Sequence, residues 1–571
     1  MARSALFRAL RRLANRAHAK NLGPDAPTTG PSRRQVLVGS LAAGAILPLA
    51  AACGDNKAGP SDGGNGGDGP ATPRIAIIGA GIAGVSCAHW LSLAGVTSTV
   101  YEASMRVGGR QFTQHGLAGN QLCELGGELV DTDHFVLPIL AQAYGKTLDD
   151  LVAATAGLTD DSFFFQGHFI PENVLVDQFM PVATKMAAAV TAGDASDTEF
   201  ERIDNMSIPD WLANEAMLPT TSLIRQILEL SYLEEFGLEV ANQSAWNLIT
   251  LIDYDDPEPF HIFGDSDERF HIHEGSDSVA LAIAAELSDQ ILFDHALTKV
   301  TTDGTTFTLT FSTSGGDTTV TADHVVYALP FTKLREVDLD GAQLPDEKLI
   351  IINSLGYGTN AKLMMQFTER HWATAHSNTG SLITDAGTGT IQTTWDTARG
   401  QDGDQGILTN FVGGDRGIAI GDMTAEQQAA IVLPLIDVVY PGTAATYIAN
   451  SAIRQHWPTY PYTKGSYASY LVGQWAFFTM EGQRVGNQHF CGEHCSENFQ
   501  GYMEGGAETG TMVAAEVLDD LGIAQPASLA SIIATLTADA RVRRACYHGD
   551  RGTPMTIKDR AALRRRRVAR R

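Results

Sequence analysis

The sequence contains few cysteines, and their spacing does not match a metal site. Its 571 residues include six, at positions 53, 87, 123, 491, 495 and 546. Only Cys491 and Cys495 lie close together, and one such pair without a second is a poor match to any zinc motif. We therefore expect small buried thiols and no metal site. The spacing does not determine whether any two of them form a disulfide.

Basic residues are scarce over most of the chain. Residues 35–540 hold 20 Lys and Arg against 63 Asp and Glu, a net charge of about −43, whereas eight basic residues lie before position 35 and twelve after position 540. Such a body repels nucleic acid and anionic membrane surfaces and attracts cations, amines included. An acidic surface that only maintains solubility explains the same composition. Nucleic acid is not expected as a partner.

The apolar run at residues 36–52 is too short, and too rich in Gly and Ala, for a membrane-spanning helix. Ser-Arg-Arg at 32–34 precedes it, so the segment resembles a twin-arginine export signal, the route of proteins that fold around a cofactor before export. Its end, residues 49–53, resembles a lipoprotein processing site with Cys53 as the lipidated residue. This resemblance implies the twin-arginine export machinery as a partner and a lipid-anchored location in the periplasm or cell envelope. Ordinary cleavage, giving a soluble exported protein, is the alternative.

Two further segments have compositions typical of unstructured chain. Residues 54–73 are rich in glycine and almost free of apolar side chains, which predicts a flexible tether after the signal of residues 1–53. Residues 526–571 are predicted to be a basic tail, strongly arginine-rich and disordered from about Arg541. The sequence gives the tail no function, although the acidic body or anionic lipid headgroups would attract it.

The first motif with a chemical meaning begins at residue 74. A β-branched run at 75–78 is followed by Gly79, Gly81 and Gly84 in G-x-G-x-x-G spacing, and then by an apolar helical segment. In such a unit the first glycine turns the chain, the second admits a pyrophosphate and the third packs helix on strand, while the phosphates lie at the helix N-terminus. Glu102 ends the next predicted strand, where a carboxylate can bind ribose hydroxyls. The pattern predicts a dinucleotide site.

Residues 102–110 have an E-x5-G-G-R pattern, residues 122–130 form a second glycine segment, and residues 490–505 contain Gly-Tyr-Met-Glu-Gly. These segments, at both ends of the chain, resemble the extension of the dinucleotide motif, the second glycine segment and the last flavin-binding segment of the flavin-containing amine oxidase family, which includes monoamine, polyamine and L-amino-acid oxidases. The resemblance spans residues 73–525 and implies FAD as the cofactor. The cofactor-binding residues that it implies are Gly79, Gly81, Gly84, Glu102, Gly109, Arg110, Val300, Trp457, Gly492, Glu493, Tyr502 and Met503.

The resemblance also implies individual contacts with FAD. Arg110 is expected near the pyrophosphate, Glu493 near the ribityl-phosphate region and Trp457 beside the isoalloxazine, while Val300 is expected to contact the adenine through its backbone. Some monoamine oxidases bond FAD to a cysteine at the position of Ser466. Because serine cannot form that thioether, we predict non-covalent FAD.

Three residues are predicted to be catalytic on the same resemblance. Tyr467 and Tyr502 match the two aromatic positions that flank the substrate nitrogen, where their π faces favour an amine and restrict its orientation. Lys362 matches the lysine that holds a water against the flavin, and a cation there would help O2 accept electrons. Tyrosines packed in a core and an exposed strand lysine are the alternatives. The cofactor carries the chemistry, and the sequence shows no acid/base triad.

The substrate class depends on Glu128. Amino-acid oxidases of this superfamily often place an arginine after the second glycine segment, where it pairs with the substrate carboxylate. Glu128 stands there instead and, with Tyr467 and Tyr502, is predicted to suit an amine or polyamine, with O2 reduced to H2O2. An L-amino-acid oxidase remains the first alternative, because Arg225 or Arg269 could enter the pocket. A flavin desaturase or isomerase and a non-catalytic flavoprotein are further alternatives.

The predicted fold is α/β. A discontinuous Rossmann-like FAD-binding domain of the glutathione-reductase and amine-oxidase type is built from residues 74–133, 273–340 and 456–525. A substrate domain combines a helical insertion at 134–272, with helices at 174–190 and 222–239, and a mixed sheet at 341–455. The sequence gives no oligomeric state.

Overall fold

The computed structural model describes residues 73–548 apart from 255–259, 265 and 388. The predicted export signal with Cys53, the tether up to residue 72 and the last 23 residues lie outside the described part of the chain. Within the described part, no helix has both the length and the apolar character that a membrane span requires.

The strands follow one another along the chain as β1 Ile75–Ile78, β2 Thr99–Tyr101, β3 Thr113–Gln114, β4 Cys123–Glu124, β5 Leu129–Val130, β6 Leu148–Asp150, β7 Ser162–Phe165, β8 His168–Phe169, β9 Phe270–Ile272, β10 Ile291–Leu292, β11 Ala296–Thr302, β12 Phe307–Thr313, β13 Gly316–Ala322, β14 His324–Tyr327, β15 Asp338–Gly341, β16 Ala361–Phe367, β17 Leu382–Thr384, β18 Thr393–Asp396, β19 Gly406–Val412, β20 Ile453–His456 and β21 Gln488–Phe490.

The α-helices are α1 Ile82–Leu93, α2 Val136–Ala143, α3 Leu151–Ala154, α4 Glu172–Ala195, α5 Asp197–Asp204, α6 Ile208–Asn214, α7 Leu223–Phe236, α8 Ala245–Leu251, α9 Ser278–Glu286, α10 Phe331–Leu334, α11 Asp346–Ser354, α12 His371–Thr374, α13 Gly414–Ala419, α14 Ala425–Val439, α15 Met503–Asp520 and α16 Ala527–His548. Short 3-10 helices occupy Ala118–Asn120, Val240–Asn242, Ile420–Asp422, Thr443–Thr446, Trp457–Thr459, Trp475–Phe477 and Glu493–Cys495.

A parallel sheet in the order β10-β2-β1-β14-β21 forms the dinucleotide-binding unit. Its strands come from three distant parts of the chain, so the predicted discontinuous α/β fold is confirmed. Helix α15 crosses α1 so closely that a Cβ on Gly510 would lie only 2.1 Å from the carbonyl oxygen of Ala83. The indole N–H of Trp90 on α1 donates a hydrogen bond to the Thr511 hydroxyl on α15, at 3.0 Å.

A second sheet, in the order β13-β12-β11-β15, lies between the parts of the dinucleotide unit along the chain. The predicted hairpin at 303–304 joins β11 to β12: Gly304 has a φ of +98°, and the Asp303 carboxylate accepts the backbone N–H groups of Thr305 and Thr306 at 2.9 and 2.8 Å. These interactions fix the register of the two long antiparallel strands.

The other large sheet has the order β20-β16-β19-β18-β17-β7-β8 and includes the strand that carries Lys362. Helices α4 to α8 adjoin it in sequence, and α4 and α7 confirm the two helices that were predicted at 174–190 and 222–239. Strands β7 and β8 belong to this sheet although they were predicted to lie in a helical insertion. The insertion therefore also builds part of the sheet.

Two predicted boundaries of the dinucleotide unit need correction. Leu137 and Leu140 of α2, which follow the predicted limit at 133, belong to the same buried apolar cluster as β1 and α1. The Glu504 carboxylate accepts the backbone N–H groups of Val136 and Leu137 at 2.6 and 2.8 Å and so caps α2. After residue 525 the chain forms α16, whose Leu529 is buried in that cluster, where a basic tail was predicted.

Candidate active site

A cavity of about 870 Å³ extends from the glycine turn after β1 to the sheet that carries Lys362. Its walls come from all three parts of the dinucleotide unit and from α7, β16, β18 and β19. We refer to the part beside the glycine turn as the dinucleotide end. The part beside Tyr467, Tyr502 and the large sheet is the substrate end.

The glycine turn excludes side chains for steric reasons. Gly79 has a φ of +108°, and a Cβ there would lie 2.7 Å from the Ala328 carbonyl oxygen; a Cβ on Gly84 would lie 2.0 Å from the oxygen of Gly79. Gly81 precedes α1 in an extended conformation, and no side chain caps the helix. The first N–H groups of α1 are therefore available at the cavity wall, as a pyrophosphate requires. The residues present fit an FAD phosphate.

Glu102 lies on the cavity wall and also stabilises the turn. One carboxylate oxygen accepts the N–H of Ala80 at 2.8 Å, and the other accepts the N–H and the hydroxyl of Ser104 at 2.8 and 2.7 Å. The hydrogen bond of Glu102 to the glycine turn was not predicted.

Val300, which the resemblance expects to contact the adenine, does not line the cavity. Val300 is fully buried in the apolar core, and its backbone pairs with Leu309 of β12. The residues of this strand that reach the cavity are Ala296, Leu297 and Thr298. These positions precede Val300 by two to four residues, and a register shift between Leu297 and Lys299 separates Ala296 and Leu297 from the regular part of β11.

Arg110 and Glu493 form an ion pair that joins distant segments. The guanidinium lies 2.6 Å from the Glu493 carboxylate and donates to the Ser466 carbonyl at 2.9 Å, while the carboxylate accepts the N–H groups of Ala468 and Gly501 at 3.1 and 2.8 Å. Burial opposes ionisation of Glu493, but the charge of Arg110 and the hydrogen bonds from Arg110 and Ala468 together outweigh it and lower the pKa. The pair lines the cavity, and each side chain is held by the other.

Trp457, Gly492 and Met503, which the resemblance expects to bind FAD, also lie on the cavity wall. The Trp457 indole donates to the Leu125 carbonyl at 3.0 Å, which fixes the plane of the ring. Met503 opens α15, whose first turn has no side-chain cap, so a second helix N-terminus faces the cavity. Gly109, with a φ of +61°, also lines it, close to the backbone of Gly81.

Both predicted tyrosines line the substrate end. A Cβ on Gly501, the neighbour of Tyr502, would lie 3.6 Å from the ring of Tyr467. The Tyr467 hydroxyl donates to the backbone carbonyl of Glu235, and the Tyr502 hydroxyl lies 3.2 Å from Ser266 Oγ. Both rings are therefore held by hydrogen bonds to the helical insertion.

Lys362 points inward from β16, as predicted. Its ammonium group donates to the carbonyl oxygens of Glu124 and Gly126 at 3.0 and 2.9 Å and to the Glu128 carboxylate at 2.8 Å. Trp395 lies beside it, with the ring centre 5.2 Å from Nζ. An ammonium has three N–H bonds, and each has a protein acceptor. A water held by Lys362 would have to share one of them.

Glu128 is not the unpaired acid that the sequence suggested. One oxygen accepts from Lys362, and the other accepts from the Trp395 indole at 2.8 Å and from the Thr397 hydroxyl. Burial opposes its ionisation, but the charge and hydrogen bond of Lys362 outweigh it and lower the pKa. Because the pair is neutral overall, Glu128 provides no argument for an amine over a carboxylate substrate.

A set of carboxylates that the sequence reasoning missed lines the substrate end. This acidic wall consists of Asp131, Asp160, Asp161, Glu234, Glu235, Asp267 and Glu268. Among the described residues that line the same end, the cationic side chains are Arg399 and the already paired Lys362, and His261 adds an imidazole. Adjacent acids stand at 160–161, 234–235 and 267–268, but these pairs are far apart in the sequence, so no single stretch indicated the wall.

Hydrogen bonds hold parts of the acidic wall. Buried Glu234 accepts from the Thr393 hydroxyl at 2.8 Å, and burial together with the charge of Glu235 raises its pKa well above the usual range. Desolvation and the charge of Asp131 raise the pKa of Glu268, whose side chain is exposed to the cavity, so water there limits the effect.

The two arginines that the sequence analysis considered for the pocket do not lie there. Arg225 binds Glu229 at 2.8 Å and Arg269 binds Asp150, and neither lines the cavity. Arg399, which the sequence reasoning missed, does line it. Its guanidinium lies 3.9 Å from Asp160, and its Nε is buried without a hydrogen-bond partner.

Comparison with known proteins places these features in a broader context. A family model described as flavin containing amine oxidoreductase matches residues 82–518. The flavin-dependent L-tryptophan oxidase RebO of Lentzea aerocolonigenes is 23% identical over 476 residues, which cover 76% of this chain and 96% of that protein.

Two solved structures have a similar fold. Cyclohexylamine oxidase from Brevibacterium oxydans IH-35A superposes with a TM-score of 0.68 at 20% identity, covering 79% of this chain and 100% of that one. A putrescine oxidase bound to putrescine superposes with a TM-score of 0.66 at 20% identity, covering 78% and 99%.

Proposed function

We propose that this chain, which belongs to the flavin-containing amine oxidoreductase family, is an FAD-dependent oxidase of cationic amines, with diamines and polyamines preferred. Bound FAD would accept the two electrons released when a carbon–nitrogen single bond becomes an imine, and would pass them to O2 to give H2O2. Hydrolysis of the imine then yields an aldehyde and ammonia or a smaller amine. The protein binds and orients the amine and limits the access of water.

The acidic wall is the observation that carries this proposal. Seven carboxylates face the substrate end of the cavity, while the cations among the described lining residues there are Arg399 and the paired Lys362. Carboxylates crowded together on one wall destabilise one another's charged form, and a bound cation relieves that repulsion. A second ammonium on the substrate would interact with the wall while the first lies by the tyrosines.

Tyr467 and Tyr502 would orient the reacting amine. Two aromatic faces attract a cation through their quadrupoles. Because both hydroxyls are hydrogen-bonded, to the Glu235 carbonyl and to Ser266, the rings cannot rotate freely and the amine has few ways to bind between them.

We further propose that FAD is held without a covalent bond. The uncapped N-termini of α1 and α15, Glu102 and the Arg110–Glu493 pair would hold it. Ser466 has no thiol to bond with, and its hydroxyl already donates to Asn360 Oδ1 at 2.6 Å. Lys362 would supply the positive charge that favours electron transfer to O2.

A peroxide-coupled screen of purified, FAD-loaded protein tests the function. The screen compares 1,4-diaminobutane, spermidine, butylamine as the matched monoamine, and a set of L-amino acids. We expect kcat/KM for the diamine to exceed that for butylamine by about tenfold, the effect of one added ionic contact of roughly 1.4 kcal/mol. Peroxide with amino acids alone would overturn the proposal, and reduction of FAD without peroxide would identify a dehydrogenase instead.

An L-amino-acid oxidase is the second candidate, and Arg399 favours it. A guanidinium fork fits a carboxylate, and the buried Nε of Arg399 has no hydrogen-bond partner. RebO, by its name, oxidises an amino acid. If the protein is an L-amino-acid oxidase, the Arg399→Lys variant should have strongly lowered activity on amino acids. If it is an amine oxidase, the same variant should keep its activity on butylamine.

We also propose export by the twin-arginine route with a lipid on Cys53, on the sequence pattern at 32–53. In a bacterial host, an R33K/R34K variant should stay in the cytoplasm. A C53S variant should be exported but should incorporate no labelled fatty acid; unchanged labelling would contradict the anchor.

A further inference from the structure

Two buried histidines and an aspartate meet at the edge of the parallel sheet away from the cavity. His324 begins β14, His489 lies in the neighbouring strand β21, and Asp520 ends α15. None of the three lines the cavity. They are far apart in the sequence, which explains why no motif indicated them.

The nitrogen and oxygen atoms of this cluster converge. His324 Nδ1 lies 3.4 Å from His489 Nε2, and Asp520 Oδ2 lies 4.0 and 3.8 Å from these two atoms. Ligands at about 2.0–2.1 Å from a tetrahedral zinc ion lie roughly 3.4 Å apart. The histidine pair already has this spacing, and a small rotation of the Asp520 side chain brings in the third ligand.

Glu516 orients the central histidine. Its carboxylate lies 3.0 Å from His489 Nδ1, and since a carboxylate only accepts, Nδ1 carries the proton and Nε2 presents a lone pair. A histidine that ligates a metal with one nitrogen usually donates its other N–H to a carboxylate in this way. A direct hydrogen bond between the histidines is the competing explanation, but 3.4 Å is beyond the usual length of such a bond.

The electrostatics of this corner favour a cation. Glu516, Asp519 and Asp520 lie in the last turns of α15, no basic residue lies in its last turn, and a helix C-terminus is itself negative. Arg484 contacts both oxygens of Asp520 at 2.8–2.9 Å. The guanidinium offsets one of three negative charges, and each carboxylate oxygen has a second lone pair, so a divalent ion can still bind.

We propose that His324, His489 and Asp520 bind a divalent transition-metal ion of the zinc class, with water in the fourth position. Imidazole and carboxylate ligands suit such ions. The side chain of Asp520 is 25% exposed, which gives the ion and its water a path from solvent, whereas His489 is fully buried. The ion would join β14, β21 and the end of α15, and would therefore stabilise the dinucleotide unit without taking part in the oxidation.

Zinc binding to the untagged, FAD-loaded protein tests this proposal. The protein is dialysed against a chelator, incubated with zinc chloride and desalted, and its zinc content is measured by elemental analysis. We expect one zinc per chain and a rise in the thermal unfolding midpoint of roughly 2–5 °C at zinc concentrations 100-fold above Kd. Amine turnover should not change. Absence of retained zinc would overturn the proposal.

Partly exposed positions provide variants that should still fold. Asp520→Asn should abolish zinc retention, and Glu516→Gln should weaken zinc binding about 10- to 100-fold, because Glu516 acts through His489. His273→Gln is the matched control, since His273 is an exposed histidine that also pairs with a carboxylate, Asp149, at 2.9 Å. Equal zinc retention by the Asp520 variant and the control would place the ion elsewhere and refute the site.

Discussion

Replacing Lys362 by methionine separates the structural effect of this residue from its effect on oxygen. The change removes an ammonium that lies 2.8 Å from Glu128, in a pair whose side chains are each 5% exposed. It leaves the Glu128 carboxylate buried without its cation. Breaking a buried pair in this way costs about 3–5 kcal/mol, so we expect the unfolding free energy of Lys362→Met to fall by that amount.

A second substitution tests whether the lost charge balance is the cause. Glu128→Gln removes the stranded charge, while its amide oxygen still accepts from the Trp395 indole and the Thr397 hydroxyl. The double variant should therefore regain about 2 kcal/mol or more over Lys362→Met. Urea unfolding of the four proteins completes a double-mutant cycle. Additive losses would refute the importance of the pair.

The pH dependence gives an independent check. In the wild type the pKa of Glu128 is lower in the folded than in the unfolded state. Ionised Glu128 therefore contributes to the unfolding free energy above the unfolded-state pKa of about 4.5, and this contribution is lost as the pH falls through the folded-state pKa. In Lys362→Met the unpaired buried carboxylate should have a raised pKa, which reverses the sign. The stability deficit of the variant should therefore shrink as pH falls from 8 to 5.

Kinetics of the same variant address the proposed role of the cation. Reoxidation of the reduced enzyme by O2 should slow more than its reduction by amine, because the charge that favours electron transfer to O2 is absent. Stopped-flow absorbance measures both half-reactions. Lys362→Met with an unchanged oxidative rate would show that the lysine serves only to neutralise Glu128.

Three further predictions follow from the cavity. Gly79→Ala should lose most of its FAD, as judged by the ratio of flavin to protein absorbance, because φ is +108° and the new Cβ would lie 2.7 Å from a carbonyl oxygen; normal FAD content would show that the turn can adjust. Asp267→Asn, whose amide oxygen can keep the hydrogen bond from the Thr132 hydroxyl, should lower kcat/KM for 1,4-diaminobutane about tenfold and for butylamine much less; equal losses would contradict a role in binding the second amine. Acid or heat denaturation of the wild type should release FAD into the supernatant, and flavin that stays on the polypeptide would disprove non-covalent binding.

Local patterns predicted the dinucleotide turn well. The run of β1, the three glycines and the start of α1 lie within twenty residues in the order that the motif requires, so the turn is indicated locally even though β1 and α1 pack mainly against β2, β14 and α15. Lys362 was also predicted to lie on a strand and to point inward, because the apolar residues around it indicate a buried strand. The steric role of Gly84, whose position leaves no room for a Cβ, was predicted as well.

The sequence patterns did not predict contacts between residues that are far apart in the chain. The charge of Glu128 seemed to select a substrate, yet Lys362, 234 positions away, neutralises it. Val300, expected at the adenine, lies in the core, and β11 has register shifts against β12 and β15 that the local sequence does not indicate. The acidic wall is assembled from loops and helix α7, so no single stretch of the chain indicates it.

The hydrogen bond between Trp90 and Thr511 joins residues that are 421 positions apart. During synthesis, α1 leaves the ribosome long before α15 exists, and at about 5–20 residues per second the delay is roughly 20–80 s. Throughout this time the face of α1 that Gly506 and Gly510 later cover has no native partner. The nascent chain therefore passes through a long period in which this apolar face is open to aggregation or to a chaperone, and a premature stop anywhere before residue 503 would leave the cofactor site without α15.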